Sequence, residues 1–257
     1  MYPDLFGIDN FSYILMIIIG VATSIAWLIV YFKKKEYPRN AILDIIACTF
    51  FTIAIGLAGA VLFQNFYNFI KNPDEFEFSG SMTFYGGLIV GVIAFISIYV
   101  LYVRKHSNVK FKDVAIAAPI CITSAHAFGR IGCFLAGCCY GKHTDSCIGV
   151  EFPILGKRIP TQLIEAIFLF ILTAVLFFLI FKTEFKYTLH VYMASYSIFR
   201  FIIEFFRGDE ARGGTLLGLY PSQVVCVFIW LIFVPTLFIL KKYIFTEEKK
   251  NDEEQSN

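Results

Sequence analysis

The chain has 257 residues, of which 58% are hydrophobic, 18% aromatic and only 16% charged, and its mean hydropathy is +0.69. Water-soluble domains carry about a quarter charged residues, so the polar surface is too small to cover a globule of this size, and a soluble enzyme, a disordered chain and a small disulfide scaffold are excluded. The formal charge of +2 comes from Lys and Arg scattered between apolar runs; they gather on no single face, and nucleic acid is not an expected partner.

A membrane-spanning helix needs roughly 20 mainly apolar residues. Seven windows satisfy this: residues 11–32, 41–63, 82–103, 113–136, 161–181, 187–206 and 219–240. The predicted fold is therefore all-α, a multi-pass integral membrane protein with seven transmembrane helices. The first window follows acidic Asp4 and Asp9 rather than a basic stretch and exceeds the length of a signal-peptide core, so a span is expected there and not a cleaved leader. After the second window, residues 64–81 are aromatic and acidic (FYNF, then PDEFEF) and are expected to lie along the bilayer interface. Asp44, near the inner end of that window, reads as a solvated end residue. The third window opens with SMTFYGGLIVG, in which Gly87 and Gly91 form a small-xxx-small face for close helix packing. Residues 137–160 form a long loop rich in Gly and Cys, with an alternating IGVEF stretch that reads as a short strand. Residues 246–257 are highly charged and expected to be disordered, leaving residues 1–245 as one membrane domain. With the N-terminus outside, the inner segments hold 14 of the 22 Lys and Arg and the outer segments 6. The positive-inside rule thus places the N-terminus out and the C-terminus in.

Ionisable residues within spans are functional-site candidates by default, since each costs about 2.5–3.5 kcal/mol at a lipid-exposed helix centre. The fourth window carries SAHAFGRIGCFLAGCCYG, where His126 and Arg130 lie four apart on one helix face. Gly129, Gly132 and Gly137 leave room beside them for a ligand or another backbone. A guanidinium held there suits a phosphate, which it clamps bidentately; the alternative is a His–Arg pair that steadies a helix crossing. In the sixth window Arg200, Glu204 and Arg207 fall on one stripe, either as an anion site with net positive charge or as a structural ion-pair ladder. Tyr85, one turn into the third window, reads as an interfacial anchor or a participant in chemistry. Gln162 and Glu165, at the start of the fifth window, and Gln223, at the start of the seventh, are polar groups at the same depth.

Seven cysteines leave at least one unpaired in any intramolecular disulfide scheme. Cys133, Cys138, Cys139 and Cys147 follow the spacing C-x4-C-C-x7-C, with His143 nearby, which matches the paired-ligand spacing of zinc sites poorly. No metal is expected; a disulfide in an oxidising exterior compartment and plain packing both remain open.

Five segments occur in a telling order: SGSMTFYGGLIVGV, AAPICITSAHAFGRIGCFLAGCCYGK, RIPTQLIEA, YSIFRFIIEFFRGDE and PSQV. In this ordered set the chain resembles the prolipoprotein diacylglyceryl transferases of bacterial inner membranes, from the third span to the seventh. The resemblance implies transfer of the diacylglyceryl group from phosphatidylglycerol to the lipobox cysteine of a lipoprotein precursor's signal peptide, with release of glycerol phosphate and without a cofactor. It implies critical roles for Arg130, Arg200 and Glu204, and Gln162 and Glu165 match the family's polar start of the fifth span as substrate contacts. The residues themselves add a base, either His126 one turn before Arg130 or a water activated near Tyr85, with the Tyr85 phenol as hydrogen-bond donor, a headgroup contact from Arg207, and a substrate-binding wall of Gly86, Gly87, Gly129, Gly132, Cys133, Gly137 and Cys138. Three positions depart from the family pattern: Tyr85 stands for a histidine, Cys133 for an asparagine and Cys138 for an acidic residue. Two other readings fit the same residues, a lipid transferase of this fold with a different acceptor and a non-catalytic phospholipid-binding or transport protein.

Overall fold

A computed structural model describes residues 10–71, 73, 77–80, 83–153, 155–208, 218–233, 235 and 236. The expected tail at 246–257 and the end of the seventh window lie outside the described residues. Helices dominate: α1 (Phe11–Lys34), α2 (Arg39–Lys71), α3 (Phe84–Ile98), α4 (Arg104–His106), α5 (Phe111–Ala136), α6 (Thr161–Phe181), α7 (Thr188–Ile203) and α8 (Pro221–Phe233). A π-helical turn, Tyr99–Val103, joins α3 to α4 without a break, and a 3-10 turn, Glu204–Phe206, closes α7. Among the described residues, five helices are long and apolar enough to cross a membrane: α1, α2, α3 with its continuation to His106, α5 and α6. A hairpin of β1 (Val150–Phe152) and β2 (Gly156–Arg158) forms where the alternating IGVEF stretch predicts a strand.

The surface is the inverse of a soluble protein's. Phe50, Leu62 and Phe66 on α2, Ile93 on α3 and Ile167 and Ile171 on α6 are all exposed apolar side chains, whereas Gln162, Glu165, Glu204 and Gln223 are buried. In hydrocarbon no water can satisfy a polar group, so polar side chains turn inward and pair.

The chain divides into two compact units, one made of Met1–Ser24 and Ala115–Asn257, the other of Ile25–Val114. In the second unit α2 packs along α3. A Cβ on Gly87 would lie 3.2 Å from the Gly56 carbonyl oxygen, and one on Gly91 would lie 3.8 Å from the Gly56 Cα. The small-xxx-small face therefore serves helix contact. Residues 64–71, the start of the segment expected to lie along the interface, continue α2 as helix. The cause is Asn65, whose side chain donates to the Val61 and Ser79 carbonyls at 2.9 and 2.8 Å and accepts from the Ser79 N–H at 2.8 Å. This clamp holds the returning chain against the helix. Asp44 is not merely solvated, since it accepts a hydrogen bond from the Ser107 hydroxyl. Tyr37 and Tyr31 donate to the two carboxylate oxygens of Asp113 at 2.7 and 3.3 Å.

In the first unit, α5 contains Pro119, which removes one helical N–H and disturbs the local ladder. Hydroxyls bond other carbonyls around it. Thr188 donates to the Ile116 carbonyl at 2.9 Å, Thr123 to that of Pro119 at 2.9 Å, and Ser24 to that of Cys121 at 2.6 Å. The faces of α6 and α7 meet through stacked Phe168 and Phe199, 4.1 Å between centroids. α8 joins α7 through Trp230, whose ring N–H donates to the Ser197 hydroxyl at 2.8 Å. Gln223 accepts from the Tyr220 N–H at 3.0 Å and donates to the Phe201 carbonyl at 3.3 Å, fixing the start of α8 to the end of α7.

Candidate active site

The C-terminal half of α5, the first turns of α6 and the C-terminal half of α7 meet around one carboxylate. His126 and Arg130, four residues apart, present one face of α5. On α7 the same spacing aligns Tyr196, Arg200 and Glu204. Between them stands Glu165, whose side chain is only 3% exposed. Its Oε1 accepts a hydrogen bond from the Tyr196 hydroxyl at 2.8 Å and lies 3.6 Å from His126 Nε2. Its Oε2 lies 3.0 Å from Arg130 Nε and 3.9 Å from Arg200 Nη1. The His126 ring meets the Tyr196 ring edge-on, 5.3 Å between centroids.

A second carboxylate extends the cluster. Glu204 Oε2 lies 2.7 Å from Arg200 Nη2 and 3.7 Å from Arg207 Nη1. Among the described residues, three guanidinium groups thus share two buried carboxylates. Taking an ion out of water costs several kcal/mol even after relaxation, so such a cluster persists only where its charges are balanced by partners or a ligand. Arg200 Nη1 is buried without a hydrogen-bond acceptor among the described residues. An unmet, buried guanidinium N–H is suited to an anionic oxygen.

Arg207 reaches this cluster because the loop backbone brings it there. Gly141 donates its N–H to the Ile159 carbonyl at 2.8 Å, Lys142 to that of Phe206 at 2.8 Å, and Gly208 to that of Tyr140 at 3.1 Å. The strand thus formed runs between the segments preceding α6 and following α7. A Cβ at Gly141 would fall 2.6 Å from the Ile159 carbonyl oxygen and 2.9 Å from that of Phe206, so only glycine permits the approach. At the end of α5, Gly137 adopts φ +74°. Its N–H bonds the Phe134 carbonyl at 3.0 Å, while the Cys138 N–H bonds that of Cys133 at 3.1 Å. This pair of bonds is a Schellman motif, which ends the helix and turns the chain back.

The residues expected from the sequence distribute as follows. His126, Arg130, Glu165, Arg200, Glu204 and Arg207 come together, with Glu165 at the centre rather than at the margin. Gln162 turns toward the loop and donates to the Cys138 carbonyl at 2.5 Å. Gly132 faces α1, where a Cβ would meet Tyr13 at 3.0 Å and Met16 at 3.2 Å, while Gly129 has only Ile17 near, at 4.0 Å. Tyr85 stands in the first turn of α3 in the second unit; Gly86 and Gly87 follow it and face Phe63 and Ala60 of α2. Cys133 and Cys138 gather with Cys139, their sulfurs all within 4.8 Å of one another. Tyr196 was not singled out in the sequence; its one signal is the four-residue step to Arg200.

Comparison with known proteins places this arrangement. Residues 4–239 match the family described as prolipoprotein diacylglyceryl transferase. The chain is similar to the phosphatidylglycerol–prolipoprotein diacylglyceryl transferase of Clostridium tetani, 33% identical over 244 residues, which cover 89% of this chain and 92% of that protein. A protein of Clostridium perfringens, named as transferase 2 of the same kind, is 31% identical over 239 residues, covering 88% and 89% respectively. The Francisella tularensis subsp. novicida protein of that name is 30% identical over 250 residues, covering 93% and 91%.

Proposed function

The chain belongs to the prolipoprotein diacylglyceryl transferase family, and on that premise we propose that it transfers the diacylglyceryl group of phosphatidylglycerol to the lipobox cysteine of a lipoprotein precursor, in a bacterial cytoplasmic membrane. The observation that carries this reading is the convergence of Arg130 and Arg200 on Glu165, with Arg200 Nη1 buried and without a hydrogen-bond acceptor among the described residues. A phosphodiester headgroup carries one negative charge and offers anionic oxygens to these guanidinium groups.

The reaction breaks the bond between the diacylglyceryl carbon and the phosphate oxygen and forms a carbon–sulfur bond. Negative charge grows on the departing phosphate oxygen. Arg130 and Arg200, shielded from water, stabilise it; loss of one such preorganised donor typically costs about 10²–10³ in rate. Glu165 and Glu204 hold the guanidinium planes apart and in register, and Arg207 meets the headgroup from the loop side. The thiolate is the attacking form of cysteine, and neutral His126 takes its proton. The imidazolium so formed faces Glu165, 3.6 Å away, and passes the proton to the released glycerol phosphate. No cofactor enters this scheme. For Tyr85, Gly86 and Gly87 the proposed part, hydrogen bonding and close approach to the substrate, rests on the family motif alone. Gly129, Gly132, Cys133, Gly137, Cys138 and Gln162 shape the wall and the turn bordering the arginines. In the proposed topology, seven spans with the N-terminus outside, this cluster lies in the outer half of the membrane, where a precursor's signal peptide presents its cysteine.

Purified protein incubated with phosphatidylglycerol labelled in its acyl chains and in its headgroup, together with a lipobox peptide, tests the reading. Labelled peptide with equimolar glycerol phosphate is the expected result. Headgroup release with unlabelled peptide would point to a different acceptor, and neither product would leave a phospholipid-binding protein without transfer activity.

A further inference from the structure

The cysteine spacing C-x4-C-C reads poorly as a metal motif along the sequence, but the fold changes its meaning. Cys133 lies four residues before Gly137, which reverses the chain with φ +74°. The Schellman bond from the Cys138 N–H to the Cys133 carbonyl brings the second cysteine back over the first. Cys139 then adopts φ +62°, a left-handed conformation that a non-glycine residue seldom takes, and its sulfur returns to the other two. The result is three Sγ atoms mutually within 4.8 Å. All seven cysteines carry free thiols.

The turn is held from outside as well. Gln162, buried in the first turn of α6, donates to the Cys138 carbonyl at 2.5 Å, and the Thr161 hydroxyl donates to that of Cys139 at 2.9 Å. Both backbone carbonyls flanking the thiols are therefore fixed by side chains of a different helix. Around a tetrahedral cation with metal–sulfur bonds of about 2.3 Å, the sulfurs sit roughly 3.8 Å apart, so the trio closes with small side-chain rotations. Three thiolates and no carboxylate form a soft donor set, which selects closed-shell thiophilic ions over magnesium, calcium or manganese. Arg130 stands one helical turn before Cys133, on the same side of α5, and offsets the negative charge of a tris-thiolate complex.

We propose that Cys133, Cys138 and Cys139 form a three-thiolate site for a thiophilic d10 cation, zinc(II) or copper(I), that locks the turn between α5 and the loop leading to α6. Binding forms three metal–sulfur bonds and releases three thiol protons to solvent, with no change of oxidation state. Under this assignment the metal occupies Cys133 and Cys138, which border the lipid cradle without touching the headgroup. The assignment does not depend on the transferase reading, because its readout requires no turnover.

The test uses full-length protein in detergent, reduced with a phosphine, stripped with a chelator and titrated with Cd²⁺ as the probe. The expected result is a thiolate-to-metal ultraviolet charge-transfer band that saturates at one equivalent. Cys133→Ser, Cys138→Ser and Cys139→Ser each weaken it by more than the roughly 10–100-fold that follows loss of a mere supporting partner, while Cys147→Ser leaves it intact. Displacement of Cd²⁺ by Zn²⁺ or by Cu⁺ then identifies the preferred ion. As a readout needing no variant, Cd²⁺ protects Cys133, Cys138 and Cys139 from alkylation in mapped peptides while Cys147 still reacts. Absence of a saturable band, a band that survives the Cys133→Ser/Cys138→Ser double change, or a Cys133–Cys138 disulfide in unreduced protein devoid of metal would each overturn the proposal.

Discussion

Glu165→Gln isolates the charge at the centre of the cluster. The amide keeps the shape of the carboxylate and an acceptor for the Tyr196 hydroxyl, now 2.8 Å from Oε1. It removes the negative charge that lies 3.0 Å from Arg130 and 3.9 Å from Arg200. Arg130 then loses its one ion-pair partner among the described residues, and Arg200 keeps only Glu204 among them. Breaking a buried pair from one side costs about 3–5 kcal/mol, most of it the penalty of the stranded charge. For a chain of this size each kcal/mol moves the unfolding midpoint by about 2–4 °C, so a fall of roughly 10 °C is expected by thermal unfolding in detergent. The stranded arginines also lose their register, and kcat/KM for transfer to a lipobox peptide, measured well below the lowered midpoint, should drop at least about 100-fold. Added phosphatidylglycerol should restore part of the lost stability, because its phosphodiester supplies the missing charge. An unchanged midpoint together with unchanged transfer would refute the idea that Glu165 organises the arginines.

Tyr196→Phe removes one hydrogen bond to that carboxylate while leaving the charge; taking about 1.5 kcal/mol, the lower end for a hydrogen bond to a charged group, transfer should fall roughly tenfold, clearly less than for Glu165→Gln, and an equal loss would show that Tyr196 acts in its own right. Arg207→Lys keeps the charge 3.7 Å from Glu204 but not the fork, so the KM for phosphatidylglycerol should rise while kcat changes little; a pure kcat effect would contradict a headgroup contact. Gly141→Ala places a methyl 2.6 Å from the Ile159 carbonyl oxygen and should destabilise by about 1–3 kcal/mol in thermal unfolding. Gly80→Ala, where no atom lies within 4 Å of the added carbon, should stay within about 0.5 kcal/mol of the parent; equal effects at the two sites would undermine the close-approach argument.

Much of this was legible in the sequence because membrane solvent leaves few choices. Residues 161–181 were expected as a span and form α6 with those bounds: Pro160 precedes its first turn, Lys182 follows its last, and the twenty-one residues between them include a single charge, Glu165. His126, Arg130, Arg200 and Glu204 stood out as ionisable groups in apolar runs. What the sequence did not carry was their meeting point. Glu165 and Gln162 are three apart and read as a matched pair, yet one turns to the arginines and the other to a loop carbonyl, a division set by packing of α5 and α7. Residues 64–71 carry polar asparagines that lower hydropathy, and the Asn65 clamp on Ser79 is a long-range contact. The thiol cluster reads poorly as a metal site in the sequence because a spacing rule written for extended knuckles does not register a helix end that doubles back at Gly137.

The central claim is that two guanidinium groups from different helices act as one device on one headgroup. A double-mutant cycle on Arg130→Lys and Arg200→Lys tests it most directly, with kcat/KM for diacylglyceryl transfer read for the parent, both single variants and the double. Residues that share a partner show interaction energies of about 0.5–3 kcal/mol, whereas independent sites add within about 0.5 kcal/mol. The convergence on Glu165 predicts that the double variant loses less than the product of the two single losses, by at least about fivefold. Strict multiplicativity would mean that Arg130 and Arg200 work apart.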